Sequence, residues 1–180
     1  MAHIQTSRFE RGPAGQRTAR RSAGRRRESG LDLFRALLEK GSPSANSYVV
    51  LLGLDTFDSS EIIRSVRDGL PYRAFERLVA NTALPSQEAL VLVNISPRTL
   101  SRRKRERRFH QDESDRLLRA SRVFARALGL FDGNLDAART WLSEPQRAFG
   151  GEVPLTVANT EVGALDVERL IGRLEHGVFT

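Results

Sequence analysis

Ile95-Ser96-Pro97-Arg98-Thr99-Leu100-Ser101-Arg102-Arg103-Lys104-Arg105-Glu106-Arg107-Arg108 is a capped helix start that runs straight into a block of cations. Ser96 offers a side-chain oxygen to the free N–H groups of a first turn, and Pro97 has the fixed φ that suits the first helical position. Leu100 is the inward anchor, so the other side chains of the segment point mostly to solvent. Seven Lys or Arg against the single Glu106 give residues 98–108 a local charge of +6. An exposed helix of that charge density suits a polyanion. Just upstream, Val93-Asn94-Ile95-Ser96 joins it to an apolar helix. Asn94 is one of the few non-glycine residues at ease with positive φ, and a steep turn there makes a helix-turn-helix. The second helix of such a unit lies in the major groove, which makes Ser96, Arg98, Thr99, Ser101, Arg102, Arg103 and Arg105 the candidate contacts to bases and phosphates.

The pattern on both sides of this unit is helical. Leu31, Phe34, Leu37 and Leu38 share one face before Gly41 and Pro43 stop the helix. Ser47-Tyr48-Val49-Val50-Leu51-Leu52-Gly53-Leu54 is apolar and β-branched, and fits a short strand or a buried helical turn. Asp58 or Ser59 caps a helix with Ile62, Ile63 and Val66 inward, and Gly69 supplies a left-handed stop. Pro71 starts a helix with Ala74, Phe75, Leu78 and Val79 on its apolar face, and after Leu84-Pro85 a third carries Ala89, Leu90 and Val93. Downstream, Glu113-Ser114-Asp115 cap a long helix and complement its dipole. That helix has Leu117, Leu118, Ser121, Phe124, Ala125 and Leu128 on one face, has Arg116, Arg119, Arg122 and Arg126 largely off it, and ends at Gly129. Asn134 caps a helix with Leu135, Ala138, Trp141 and Leu142, and Pro145 ends it. Gly150-Gly151 and Pro154 turn the chain into a last helix, capped at Thr160, with Val167, Leu170, Ile171 and Leu174 inward. It finishes at His176-Gly177 and leaves an apolar tip, Val178-Phe179-Thr180. The fold class is all-α: a helix-turn-helix region, then a small helical region, behind a disordered basic tail.

That tail is residues 1–30, where eight Arg stand against two Glu and almost no large apolar side chain is present to offset the entropy of ordering. It carries a second +6. Taking both basic segments from the whole-chain +7 leaves the rest at −5, so the body is mildly acidic and two binding faces of opposite character are expected. The absence of cysteine excludes a disulfide framework, a thiolate metal site and a cysteine nucleophile. No apolar stretch spans a membrane and no apolar segment marks a secretory signal, which fits a cytoplasmic protein. His3, His110 and His176 lie at neither metal-ligand nor catalytic spacing, and Gly150-Gly151 lacks the Gly and Lys of a phosphate cradle. No metal, cofactor or enzymatic activity is expected. Trp141 fits the core, or an interface where Trp is enriched.

Leu51-Leu52-Gly53, Gly69-Leu70-Pro71, residues 96–103, Glu113-Ser114-Asp115-Arg116-Leu117, residues 137–142, Gly150-Gly151-Glu152-Val153-Pro154-Leu155, residues 160–163 and residues 173–178 follow in a fixed order. In this the chain resembles the Xre/MbcA/ParS-like antitoxins, which pair with RES-domain toxins in bacterial type II toxin–antitoxin modules. The resemblance implies an all-α protein in which residues 31–111 contain the operator-binding helix-turn-helix and residues 112–180 bind the toxin. RES toxins deplete NAD, and the antitoxin's C-terminal end is expected at the toxin's active-site entrance. That gives Trp141, Arg173, His176, Gly177, Val178, Phe179 and Thr180 as the toxin-binding candidates. The implied partners are the cognate RES-domain toxin and operator DNA, with a homodimer and a hetero-oligomer with toxin as assemblies and autorepression as the consequence. The Arg-rich tail is not covered, and Thr156 stands where the family often has an acidic residue. The alternative is a stand-alone nucleic-acid-binding protein, a nucleoid or RNA-associated factor whose C-terminal half only dimerises.

Overall fold

Apolar residues recur every three to four positions in this chain with little strict alternation, a pattern that helices bury. The computed structural model describes residues 29–41 and 44–177, and among them are nine α-helices. They are α1 (Gly30–Glu39), α2 (Ser59–Asp68), α3 (Arg73–Thr82), α4 (Ser86–Val93), α5 (Pro97–Glu106), α6 (Gln111–Leu130), α7 (Leu135–Ser143), α8 (Pro154–Val157) and α9 (Glu161–Glu175). Short 3-10 helices at Ser47–Leu52 and Arg147–Phe149 complete them. The only β-type pairing among the described residues is an isolated antiparallel bridge between Pro71 and Arg108. The expectation for the N-terminal tail falls mostly on residues 1–28, outside the described residues. Its last two residues, Ser29 and Gly30, are the cap and the first residue of α1, with Ser29 Oγ accepting from Asp32 N at 3.1 Å.

α6 is the axis of the molecule. Leu117, Ala120, Val123, Phe124, Ala127 and Leu128 are buried along it, and it packs against the first 3-10 helix, α2, α3, α4, α7 and α9. Burying a Leu or Phe side chain contributes about 1.5–3 kcal/mol, so this helix alone anchors much of the core. One cluster of buried apolar residues runs from Phe34 to Ile171, and it is continuous across the boundary expected at residue 111, where α6 begins.

The ambiguous apolar run is the 3-10 helix. Val49, Val50, Leu51 and Leu52 are all buried, and Asn81 of α3 secures the segment by donating to Leu51 O at 2.9 Å while accepting from Leu31 N at 3.3 Å. A run buried on every side needs no alternation, which is why periodicity does not discriminate here.

Two expectations about inward faces and one about a helix stop are corrected. Ile63 is 50% exposed, because Ile62 and Val66, one turn apart, already fill the inward stripe of α2. Arg119 is 7% exposed rather than off the packed face; it lies under the turn between α8 and α9 and donates to Asn159 O at 2.7 Å. Gly69 has positive φ (87°) but an extended ψ (130°), so it is not a left-handed helical stop. A Cβ there would lie 2.2 Å from Phe109 O, so the close approach of two backbones, as well as φ, requires glycine.

Candidate nucleic-acid interface and C-terminal face

The turn between α4 and α5 is built as its residues dictate. Asn94 is left-handed (φ 50°, ψ 50°), and Ile95, buried behind it, donates its N–H to Leu90 O at 3.1 Å. Ser96 Oγ accepts from Thr99 N at 3.2 Å and Pro97 takes the first helical position. Arg116 of α6 holds the Asn94 carbonyl at 2.8 Å and pairs with Asp112 at 2.6 Å, fixing the turn against the long helix. The N-terminus of α5 therefore has a defined direction.

Arg98, Ser101, Arg102 and Arg105 form one exposed stripe along α5, at positions i, i+3, i+4 and i+7, with Ser96 exposed at its head. Thr99 and Leu100 are half-buried on the other side, and Leu100 packs against the core. Lys104, Arg107 and Arg108 extend the exposed cations to the end of the helix. Six of the seven candidate residues thus lie at or near the free surface of α5.

Arg103 does not. It is 2% exposed, on the inward face with Leu100, and each of its three guanidinium nitrogens has a partner. Nε donates to Glu113 Oε2 at 2.5 Å, Nη1 pairs with Glu106, and Nη2 meets His110 Nδ1 at 3.0 Å. Its hydrogen bond to Glu113 is the foremost influence holding the guanidinium above its ordinary pKa, against the opposing effect of burial. For Glu113, 4% exposed, burial is the largest single influence and would raise the carboxyl. The hydrogen bonds from Arg103 and from the His110 backbone N–H, with the Arg103 charge, outweigh it and hold the group below its usual value. Arg103 consequently joins the end of α5 to the first turn of α6 and is withdrawn from any bound polyanion.

Sequence reasoning grouped Arg103 with Arg98, Arg102 and Arg105 and missed two partners of this junction. Glu113 closes a capping box at the head of α6, accepting from His110 N at 2.8 Å, as well as holding Arg103. Ser114 Oγ accepts from Leu70 N at 2.8 Å and donates to His110 O at 2.7 Å, which ties the Gly69-Leu70-Pro71 turn to the same place. Phe109 N to Leu70 O (2.8 Å) and Tyr72 N to Arg107 O (3.0 Å) complete that seam. The available signal was spacing: Arg103 sits three residues after the inward Leu100 and three before Glu106.

At the other end, α9 is held on α6 by Arg122, which pairs with Glu161 and Glu168 at 2.7 Å each, and by Arg126 with Glu175 at 3.1 Å. These pairs are partly exposed and contribute about 0–1 kcal/mol each. Arg173, His176 and Gly177 come together, exposed, at the end of α9. Trp141 is half-buried and packed against the core, with its carbonyl accepting from Gln146 Nε2 at 3.2 Å. Val178, Phe179 and Thr180 lie outside the described residues. No group of three or more His, Asp or Glu able to hold a metal ion, and no helix long and apolar enough to cross a membrane, occurs among the described residues.

Residues 61–122 match the family model described as the antitoxin Xre-like helix-turn-helix domain, and residues 126–177 match the antitoxin Xre/MbcA/ParS C-terminal toxin-binding domain. An antitoxin Xre of Yersinia enterocolitica is 36% identical over 130 residues, covering 72% of this chain and 88% of that protein. The chain belongs to the Xre antitoxin family. Antitoxins Xre of Photorhabdus laumondii (37% identity, 64% of this chain, 78% of that protein) and Pseudomonas putida (31%, 65% and 72%) are further relatives. The two Xre family models meet inside α6, so the helix that carries the core also joins the helix-turn-helix to the C-terminal region. Family membership favours the antitoxin reading over a stand-alone nucleic-acid-binding protein.

Proposed function

We propose that this chain is a type II antitoxin that neutralises a RES-domain, NAD-depleting toxin by covering its active site, and that it represses its own operon by binding operator DNA as a dimer in the cytoplasm. The observation that carries the DNA half is the exposed stripe of Arg98, Ser101, Arg102 and Arg105 on a helix whose N-terminus is fixed by Asn94 and Ser96. Arg side chains at that spacing reach base edges in one groove, while Lys104, Arg107 and Arg108 suit flanking phosphates. The toxin half is supported by the C-terminal match and by Arg173, His176 and Gly177, which stand exposed where α9 ends. Val178 and Phe179 follow directly and supply apolar bulk suited to a pocket mouth.

Truncation after Gly177 tests the occlusion. The shortened antitoxin should still bind the toxin in a pull-down, yet NAD consumption should return. Full inhibition by the truncated chain overturns the occlusion mechanism. For DNA, Arg102→Ala should cost about 1–3 kcal/mol of operator affinity if it reads a base, or lower the salt slope by about one unit if it holds a phosphate. Unchanged affinity and slope in Arg102→Ala/Arg105→Ala would remove α5 as the reader.

A further inference from the structure

α9 presents two faces of different character. Its inner face, Ala164, Val167 and Ile171, is buried against the core, with Gly163 close beneath Val157 O. Its outer face carries Val162, Leu165, Asp166, Arg169 and Arg173 at helical spacing, about 16 Å from Val162 to Arg173 at 1.5 Å per residue. Val162 is 73% and Leu165 40% exposed, and they are the only large apolar side chains so exposed among the described residues of the segment matched by the toxin-binding model. An apolar pair on the outside of a helix whose opposite face already fills the core leaves apolar surface open to a partner. Toward its C-terminal end the stripe turns basic. Arg169 shares Asp166 at 3.0 Å, and Arg173 has no carboxylate partner among the described residues.

We propose that this outer stripe of α9 is the docking surface for the toxin, with Val162 and Leu165 entering an apolar groove and Arg169 and Arg173 meeting carboxylates at the groove's far end. This rests on the toxin-binding reading above and specifies where that contact is made. Charge decides between the toxin and a second copy of the chain. Two identical stripes would bring four Arg against two Asp, leaving positive charge unbalanced in either orientation, whereas an acidic partner surface balances it. The stripe also ends beside His176 and Gly177, so a toxin seated along it reaches the end of α9. The mode is a helix laid in a groove and read through side chains one turn apart.

The test uses the full chain and a RES-domain toxin, with affinity measured by biolayer interferometry, melting by circular dichroism and mass by light scattering. Val162→Asp and Leu165→Asp should each weaken the complex about tenfold or more, as buried interface anchors do, with the melting transition of Val162→Asp kept. Arg169→Glu/Arg173→Glu should slow association and reduce its salt dependence. Ile63→Asp, on the exposed side of α2, should leave toxin affinity alone. Wild-type affinity in the stripe variants overturns the docking surface while leaving the antitoxin reading intact. A change of the antitoxin's own mass without a change in toxin affinity also overturns it and assigns the stripe to a second copy. Failure of the unaltered chain to bind the RES-domain protein removes the functional reading itself.

Discussion

Replacing Arg103 with Met should unfold the end of α5, the helix proposed to face DNA, without removing a DNA contact. The methionine fills much of the arginine's stem volume but leaves Glu113, 4% exposed, as a buried carboxylate with only the His110 N–H beside it. Removing one partner of a buried pair costs about 3–5 kcal/mol, because the survivor keeps its desolvation penalty. Glu106 is a lesser matter: its side chain is 46% exposed, and water replaces the lost pair at about 0–1 kcal/mol. Against a total stability of about 5–15 kcal/mol, the substitution consumes a large share of the whole.

Urea unfolding of Arg103→Met, Glu113→Gln and the double variant measures this directly. The double variant should be more stable than the sum of the single losses implies, by about 1–3 kcal/mol, because it strands no charge. On DNA, Arg103→Met studied where it is folded should lose affinity with the salt slope unchanged, whereas Arg102→Ala should lower that slope if it holds a phosphate. A loss below about 1 kcal/mol in Arg103→Met would refute the buried-pair argument. A reduced salt slope in that variant would show that the guanidinium reaches phosphate after all.

The same junction sets a pH dependence. Glu113 is held below its usual pKa in the folded chain, so its contribution is fully present above the ordinary carboxylate value and is lost as pH falls through the depressed one. The stability gap between the wild type and Glu113→Gln should therefore be widest near neutrality and close progressively below about pH 4; a gap constant down to pH 3 would contradict it. Gly69→Ala should lower the melting temperature sharply, since the new Cβ would sit 2.2 Å from Phe109 O at a φ of 87°. Gly150→Ala, with nothing within 4 Å but φ at 65°, should cost only the left-handed strain of about 1–2 kcal/mol. Equal losses at the two sites would show that the seam under Gly69 yields easily.

Local chemistry that needs no distant partner was legible in the sequence. Ser96, Asp58, Asn134 and Thr160 cap the helices expected of them, and Asn94 is left-handed, because each effect lies within three or four residues of its cause. The all-α class followed from the same short-range periodicity. The apolar run at residues 47–54 stayed ambiguous, since a segment buried on all sides carries no alternation to read. Arg119 and Ile63 failed for a related reason. Which side of a helix is inward depends on what packs on it, and for Arg119 that is a turn 40 residues away in sequence.

Arg103 shows why site residues are harder to read than folds. In a run of five cations within eight positions, Arg98, Arg102, Arg103, Lys104 and Arg105, composition treats every charge alike. The helix does not. Its 100° advance per residue turns Arg98, Arg102 and Arg105 to one side and Arg103 to the side of Leu100, where, besides Glu106, a carboxylate on the next helix makes burial of a cation tolerable. Glu113 is that carboxylate, and on its own it reads as nothing more than an N-terminal acidic residue complementing a dipole. The proposed polyanion site thus draws on two populations of arginine, one exposed on α5 and one that fixes the helix on which the first is carried. Telling them apart requires knowing where α6 begins relative to α5, which is a property of the packed core.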